Sequence, residues 1–355
     1  MSRLNFQIAL LIAVMSWAAS AQTAEVSVST RYVPNLSLFS TPKDGKNKPD
    51  KASAEVTSPL PLGTRSIWLA LSVFDSRWEP VAGLKADEVE ITIDGEKRKI
   101  LEFESATDKV EKVFVIDMSP STAFDLKDIQ SFVEEAIDKL PPNQKITIWK
   151  FDAKPQMRVE SSVDRVAIRK AIRKLRMDGG TSLYDTVSQL CSGKGAETAR
   201  PRMVFIVTDG VDTTSRKTTT VESLTQSNEC GDVFFPVYLD TYQHHASLNK
   251  NPPRPLAGIP GLTPILNAPP IRKEDFDRGR YYLTALLNMS GGRAFIFPSV
   301  KTEIGEFSAR VAEAGLSFYM VRVEVDGAKP TLDVQASVKR PRLNVLTRSV
   351  MKLSR

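Results

Sequence analysis

Hydrophobic positions along this chain change rhythm twice. From Ser66 to Phe74 they alternate, with Ile67, Leu69, Leu71 and Val73 on one side and Trp68, Ala70 and Phe74 on the other. That period of two predicts a β-strand. Val89, Ile91 and Ile93 repeat it, and Asp94-Gly95 then predicts a hairpin before Ile100 and Phe103. From Val110 onward short apolar runs alternate with helical spacing. Val113–Ile116 has the continuous apolar character of a strand buried on both faces. Leu126, Ile129, Val133, Ile137 and Leu140 follow at helical intervals. The same alternation predicts strands at Ile146–Phe151, Met203–Val207, Val233–Leu239 and Ala294–Phe297. Helices are predicted at Val166–Met177, Val221–Cys230, Phe276–Met289 and Ile304–Ala314, with another after Thr181 containing Tyr184 and Leu190. After Leu316 period two returns in Phe318–Val325, Leu332–Val338 and Leu343–Val350. Strands alternating with helices imply right-handed crossovers, so residues 110–316 are expected to form a doubly wound, mostly parallel α/β sheet.

The remaining segments divide differently. Arg3, the apolar run Phe6–Trp17 and the small-x-small triplet Ala19-Ser20-Ala21 predict a signal peptide over residues 1–21, cut after Ala21. The run is too short for a comfortable membrane span, and no cysteine follows it to carry a lipid. Residues 22–64, rich in Ser, Thr, Lys and Pro, read as a flexible linker. Residues 65–107 are a small N-terminal β module. Seven prolines between Pro252 and Pro270 predict an irregular surface insertion over 241–271. No later segment is apolar for long enough to span a bilayer. The mature chain is therefore expected to be exported, in the periplasm or secreted.

The formal net charge is +6, from 48 Lys and Arg against 42 Asp and Glu. That mild excess is weak support for nucleic acid, and export argues against it. Arg165, Arg169, Lys170, Arg173, Lys174 and Arg176 share the outer face of one predicted helix, which reads as a solvated face ahead of an acidic-partner patch. Trp68, Trp78 and Trp149 lie in strand-like contexts and read as core. His244 and His245 are the only histidines and sit in the Pro-rich loop, so no Ser-His-Asp or Cys-His arrangement is expected. A phosphate-cradling glycine loop is missing as well.

The chemistry concentrates in three loops at the carboxyl ends of predicted strands, where open α/β sheets bind their ligands. They are Asp117-Met118-Ser119-Pro120-Ser121, Gly179-Gly180-Thr181-Ser182-Leu183 and Thr208-Asp209-Gly210. The carboxylates of Asp117 and Asp209 with the hydroxyls of Ser119, Ser121 and Thr181 suit a hard divalent cation. Taken singly, Ser121 and Asp125 could instead cap the following helix.

Together these loops resemble the metal-ion-dependent adhesion site of von Willebrand factor A domains. The resemblance implies Ser119, Ser121 and Thr181 as direct ligands, with Asp117 and Asp209 acting mainly through water. It implies Mg²⁺ first, or Mn²⁺ or Ca²⁺, with an open position that accepts a carboxylate from a protein partner. Beyond the site, Val81-Ala82-Gly83-Leu84, Asp94-Gly95, Phe103, Thr208–Thr213, Ser290-Gly291-Gly292-Arg293 and Lys339-Arg340-Pro341 resemble the bacterial VWFA-related family described from acidobacterial proteomes. Val89 departs from it, where the family usually has Phe. In such a fold both ends of the α/β domain emerge opposite the metal, so residues 65–107 and 317–355 are expected to join in one β-sandwich-like module. Cys191 and Cys230 end two helices on that far side, where they can pair or stay reduced. The expected function is non-enzymatic partner binding. The alternatives are a metal-dependent hydrolase, which lacks an evident general base, and a purely structural extracytoplasmic subunit.

Overall fold

The computed structural model describes residues 65–105, 109–195, 200–242, 271–298, 303–325 and 329–353. The expected signal peptide, the linker, His244, His245 and all of the expected insertion except Thr241, Tyr242 and Ile271 lie outside them. Alternation at the start becomes β1 (Arg65–Phe74), followed by β2 (Val89–Ile93), β3 (Glu96–Arg98) and β4 (Ile100–Ser105). Asp94 and Gly95 join β2 to β3 with φ of 53° and 82°. Those two left-handed residues give the tight turn a twist that matches the strands.

Next come β5 (Lys112–Asp117), α1 (Leu126–Asp138), β6 (Ile146–Phe151), β7 (Pro155–Ser162), α2 (Arg165–Arg173) and α3 (Leu183–Cys191). They are followed by β8 (Met203–Thr208), α4 (Thr220–Glu229), β9 (Val233–Tyr238), α5 (Lys273–Ser290), β10 (Phe295–Ile296) and α6 (Ile304–Glu313). The six strands form one sheet in the order β10-β9-β8-β5-β6-β7. All pairings are parallel except β6 with β7. Helices cover both faces: Phe132, Ile168 and Phe307 pack with Phe114 and Phe205 on one, and Leu183, Val187 and Tyr282 with Val113 and Val204 on the other. From β5 the chain moves to β6 on one side, and from β8 to β9 on the other. The order therefore reverses at β5 and β8, which places the crevice at their carboxyl ends.

The last strands are β11 (Phe318–Val325), β12 (Thr331–Val338), β13 (Asn344–Leu346) and β14 (Val350–Lys352). They complete two antiparallel sheets, β13-β1-β11-β4 and β14-β12-β2-β3. Ile67, Leu69, Leu71 and Val73 meet Ile91, Ile93, Leu332 and Val334 between them. The opposite face of β1 and β11 is not solvated: Trp68, Ala70, Phe318 and Met320 continue the core of the α/β domain. One sheet thus serves two cores. Tyr319 fastens the Val81–Leu84 segment, donating to Val81 O at 2.8 Å and accepting from Leu84 N at 3.2 Å.

Four features differ from the sequence reading. β7 was not expected, because its half-exposed residues show little alternation and it forms an antiparallel edge. Leu343–Val350 is two strands: β13 pairs with β1 and β14 with β12, while Arg348 between them is buried. Trp78 is not on a strand. It sits in a turn with φ 64°, its ring 5.9 Å from Phe74 and 5.8 Å from the Arg293 guanidinium. Finally, α2 stops at Arg173, and most of its basic face has partners. Arg173 bonds Glu134 with two nitrogens, Arg169 pairs with Asp138, and Arg165 donates to Pro141 O.

Candidate metal centre

Asp117 is the last residue of β5 and is fully buried. Its Oδ1 accepts Ser119 N at 2.9 Å, and its Oδ2 accepts the Thr208 hydroxyl at 2.6 Å. Met118 N donates to Phe151 O at 2.7 Å, so the turn is carried by the neighbouring strand β6. The Thr122 hydroxyl closes that turn on Ser119 O at 3.0 Å. Within it the Ser119 and Ser121 hydroxyl oxygens stand 2.9 Å apart.

Asp209 follows β8 and is equally buried. Val211 N donates to its Oδ1 at 3.0 Å, and the Thr241 hydroxyl to its Oδ2 at 2.9 Å. Thr208 links the Asp117 carboxylate to the Asp209 loop, because its oxygen also accepts Gly210 N at 3.0 Å. Thr181 belongs to the loop before α3. Its amide donates to the Thr213 hydroxyl at 2.9 Å, and its carbonyl accepts Thr213 N and Thr214 N at 2.9 and 3.0 Å. The Thr181 loop is therefore tied to the Asp209 loop. Its other flank is held by Asp152, whose carbonyl accepts both the amide and the hydroxyl of Ser182. Gly180 has φ +87°, and a Cβ there would meet Thr214 Cγ2 at 2.5 Å, so only glycine fits.

All five candidate residues are exposed by 5% or less. The structure brings Asp117, Ser119, Ser121 and Asp209 together at the β5–β8 crevice and ties the Thr181 loop beside them. Burial, and then the neighbouring Asp209 charge, push the Asp117 carboxyl up to about 7. Two like-charged carboxylates this close and this dry need a counter-charge. The donor set fits one. Carboxylate and hydroxyl oxygens are the donors that hard divalent cations take.

Three residues around the centre escaped the sequence reading. Thr208 was visible only as part of its tripeptide, and Asp152 acts through its carbonyl. Thr241, expected to open a surface loop, is instead fully buried. At the far end of the sheet Cys191 and Cys230 are joined, with Cα atoms 5.3 Å apart, a usual disulfide span. Asp232 lies beside them, but its carboxylate is bound by Arg202.

A close backbone approach supports the Asp209 loop from outside. A Cβ on Gly279, in α5, would lie 2.5 Å from Gly210 O. Gly279→Ala gains about 1 kcal/mol of helix propensity but overpacks the contact at a cost of about 1–3 kcal/mol. The expected result is a small net loss of stability in chemical denaturation. It should come with weaker cation uptake, since the helix must push the Asp209 loop. Unchanged uptake would show that the contact does not position Asp209.

Residues 112–211 match the von Willebrand factor type A domain family. No curated protein matches the chain. Among solved structures it is similar to the conserved hypothetical protein BatB from Bacteroides thetaiotaomicron, at 13% identity over 58% of this chain and 98% of that one, TM-score 0.40. It is also similar to a von Willebrand factor type A protein from Catenulispora acidiphila, at 10% identity over 81% of this chain and 74% of that one, TM-score 0.42. A third is proximal thread matrix protein 1 from the mussel byssus, described with a zinc-occupied MIDAS motif, at 11% identity over 68% of this chain and 50% of that one, TM-score 0.38. Likenesses this distant say nothing of a site or a partner. The segment that matches the von Willebrand factor type A domain family, residues 112–211, carries Asp117, Ser119, Ser121, Thr181 and Asp209.

Proposed function

We propose that this chain is an exported, non-enzymatic binding protein. Its von Willebrand factor type A domain holds Mg²⁺ and uses the ion's open position to take a carboxylate from a protein partner. Ser119, Ser121 and Thr181 would hold the ion directly, and Asp117 and Asp209 through water. The observation that carries this reading is the buried Asp117–Asp209 pair beside the adjoining hydroxyls of Ser119 and Ser121. Neutral hydroxyl ligands leave such an ion under-neutralised, so it attracts an acidic side chain. The hydrolase alternative is disfavoured because, beyond the two acids themselves, the three loops offer no evident general base. We further place the chain with the bacterial VWFA-related proteins, on the segments from Val81 to Pro341 that resemble them. Export rests on the sequence of residues 1–21. Among the described residues no helix is long and apolar enough to cross a membrane.

Calorimetric titration tests the centre, and crosslinking in intact cells with and without chelator tests the partner. A partner captured equally in chelator would contradict the carboxylate mechanism. The pH dependence gives a second test. In the metal-free protein Asp117 holds its proton up to about 7, against an ordinary value of 3.8. The folded state therefore binds more protons than the unfolded one between those values, and its stability falls as pH rises through that window. Added Mg²⁺ takes over the role of that proton. The rise in melting temperature it causes should be small near pH ~5 and reach a plateau above pH ~7. A shift of constant size across this range would contradict the assignment.

A further inference from the structure

We infer that Thr241 is a positioning residue of the metal centre, one that the five-residue ligand set does not include. The inference rests on the metal reading above. The topology brings Thr241 to the site across the adjacent strand. β9 lies beside β8, and Leu239 N continues their ladder by donating to Thr208 O at 3.0 Å. Thr241 N then turns back on Leu239 O at 3.0 Å, which sets its side chain over the residue following Thr208, namely Asp209. The Thr241 hydroxyl donates to Asp209 Oδ2 at 2.9 Å, while Val211 N holds Oδ1 at 3.0 Å. Thr241 is 0% exposed, so water does not compete for this bond.

The two donors grip Asp209 from opposite sides, one from the backbone of its own loop and one from a side chain of the next strand. Only the second can be removed by substitution. With both in place, the plane of the carboxylate is set before a cation arrives, and each oxygen keeps a lone pair for a metal-bound water. Without the hydroxyl, Oδ2 loses the donor that fixes it from β9, and the plane of the carboxylate is less firmly set. Outer groups that orient ligands in this way contribute about 10–100-fold to metal affinity.

The test is calorimetric Mg²⁺ titration of the full exported chain carrying Thr241→Val or Thr241→Ser, with melting of each in chelator alongside. Valine keeps the shape and removes the donor, and serine restores the donor. Weakening of about 10–100-fold for T241V, with affinity close to the unaltered protein for T241S, is the expected result. T241V binding Mg²⁺ as tightly as the unaltered protein would overturn the positioning role. So would equal weakening in both variants, which would mean that shape rather than the hydroxyl matters. If T241V does not fold, Thr241→Ala takes its place with the same criteria. If the unaltered protein takes up no Mg²⁺, the metal reading itself fails, a result distinct from either of these.

Discussion

Replacing Asp117 with asparagine is expected to abolish Mg²⁺ uptake and, in the same protein, to raise the melting temperature of the metal-free state. The two effects share one cause. Asp117 and Asp209 are both buried, and burial together with their mutual repulsion hold the Asp117 carboxyl at about 7 instead of 3.8. Above that pH the metal-free fold carries an uncompensated charge. At about 1.4 kcal/mol per pKa unit, its removal stabilises by at most about 4 kcal/mol. Asparagine keeps an acceptor for Ser119 N but turns an amide toward the Thr208 hydroxyl. That hydroxyl loses its acceptor there, at a cost of about 1 kcal/mol. The balance is a gain of about 2–3 kcal/mol, or roughly 5–10 °C in melting temperature. Near pH ~5 the gain should vanish, because the native acid is then already neutral. Scanning fluorimetry in chelator and calorimetry with Mg²⁺ measure both halves. An asparagine variant that melts below the unaltered protein at pH ~8 would show that the pair is not repulsive. Normal Mg²⁺ uptake by that variant would remove Asp117 from the centre.

The stability of this centre is therefore at odds with its proposed function, which is why its local chemistry was readable in the sequence. Short oxygen-bearing side chains directly after a continuous apolar strand have little to do for packing. Asp117 after Val113–Ile116, and Asp209 after Met203–Val207, stood out on that ground. The doubly wound order was legible for a similar reason, since its strands and helices each impose their own period. So was the strand at Ile67–Val73, although alternation alone could not tell that both faces of β1 would serve as core.

What stayed hidden was whatever depends on a distant partner. Thr241 is separated from Asp209 by 32 residues, and nothing local marks its hydroxyl as bonded there. β7 has no period to detect, because an edge strand with both faces half wet needs none. Arg165, Arg169 and Arg173 read as a solvated face, and Arg169 and Arg173 do stay 39% and 68% exposed, but nothing local shows what they pair with. Their actual partners are Pro141, Asp138 and Glu134, around helix α1, at separations of 24, 31 and 39 residues. Periodicity reports which side of an element faces inward. It is silent on which polar groups meet once the elements pack.

Arg348 is the strongest instance of such a meeting, and Arg348→Ala is expected to be the most destabilising of these substitutions. The side chain is 1% exposed and lies in the bend that separates β13 from β14. Its Nη1 donates to Asn228 O at 2.7 Å and its Nη2 to Asp232 O at 3.2 Å. These carbonyls flank Cys230 at the end of α4, so the guanidinium fastens the C-terminal strands to the α/β domain. Asn228 reinforces the joint, donating to Val350 O at 2.7 Å and accepting Lys352 N at 2.8 Å. Backbone packing leaves no slack, since a Cβ on Gly291 would lie 2.5 Å from Thr347 C. Burial lowers the Arg348 pKa to about 10, which leaves it charged at neutral pH. Alanine would strand two buried carbonyls and open a cavity, a loss of about 3–5 kcal/mol. At about 2–4 °C per kcal/mol the melting temperature should fall by roughly 10 °C. Lysine should recover part of this, because it keeps the charge but not the two-pronged reach. Asp232 precedes the amino end of β9, whereas Asp209 follows the carboxyl end of β8, so the joint and the metal centre occupy opposite ends of the sheet. Sites so far apart are energetically independent. Mg²⁺ affinity of the folded Arg348→Ala variant should therefore equal that of the unaltered protein. A stable alanine variant would refute the role of the joint. A destabilised one with weakened Mg²⁺ binding would refute the independence of the two ends.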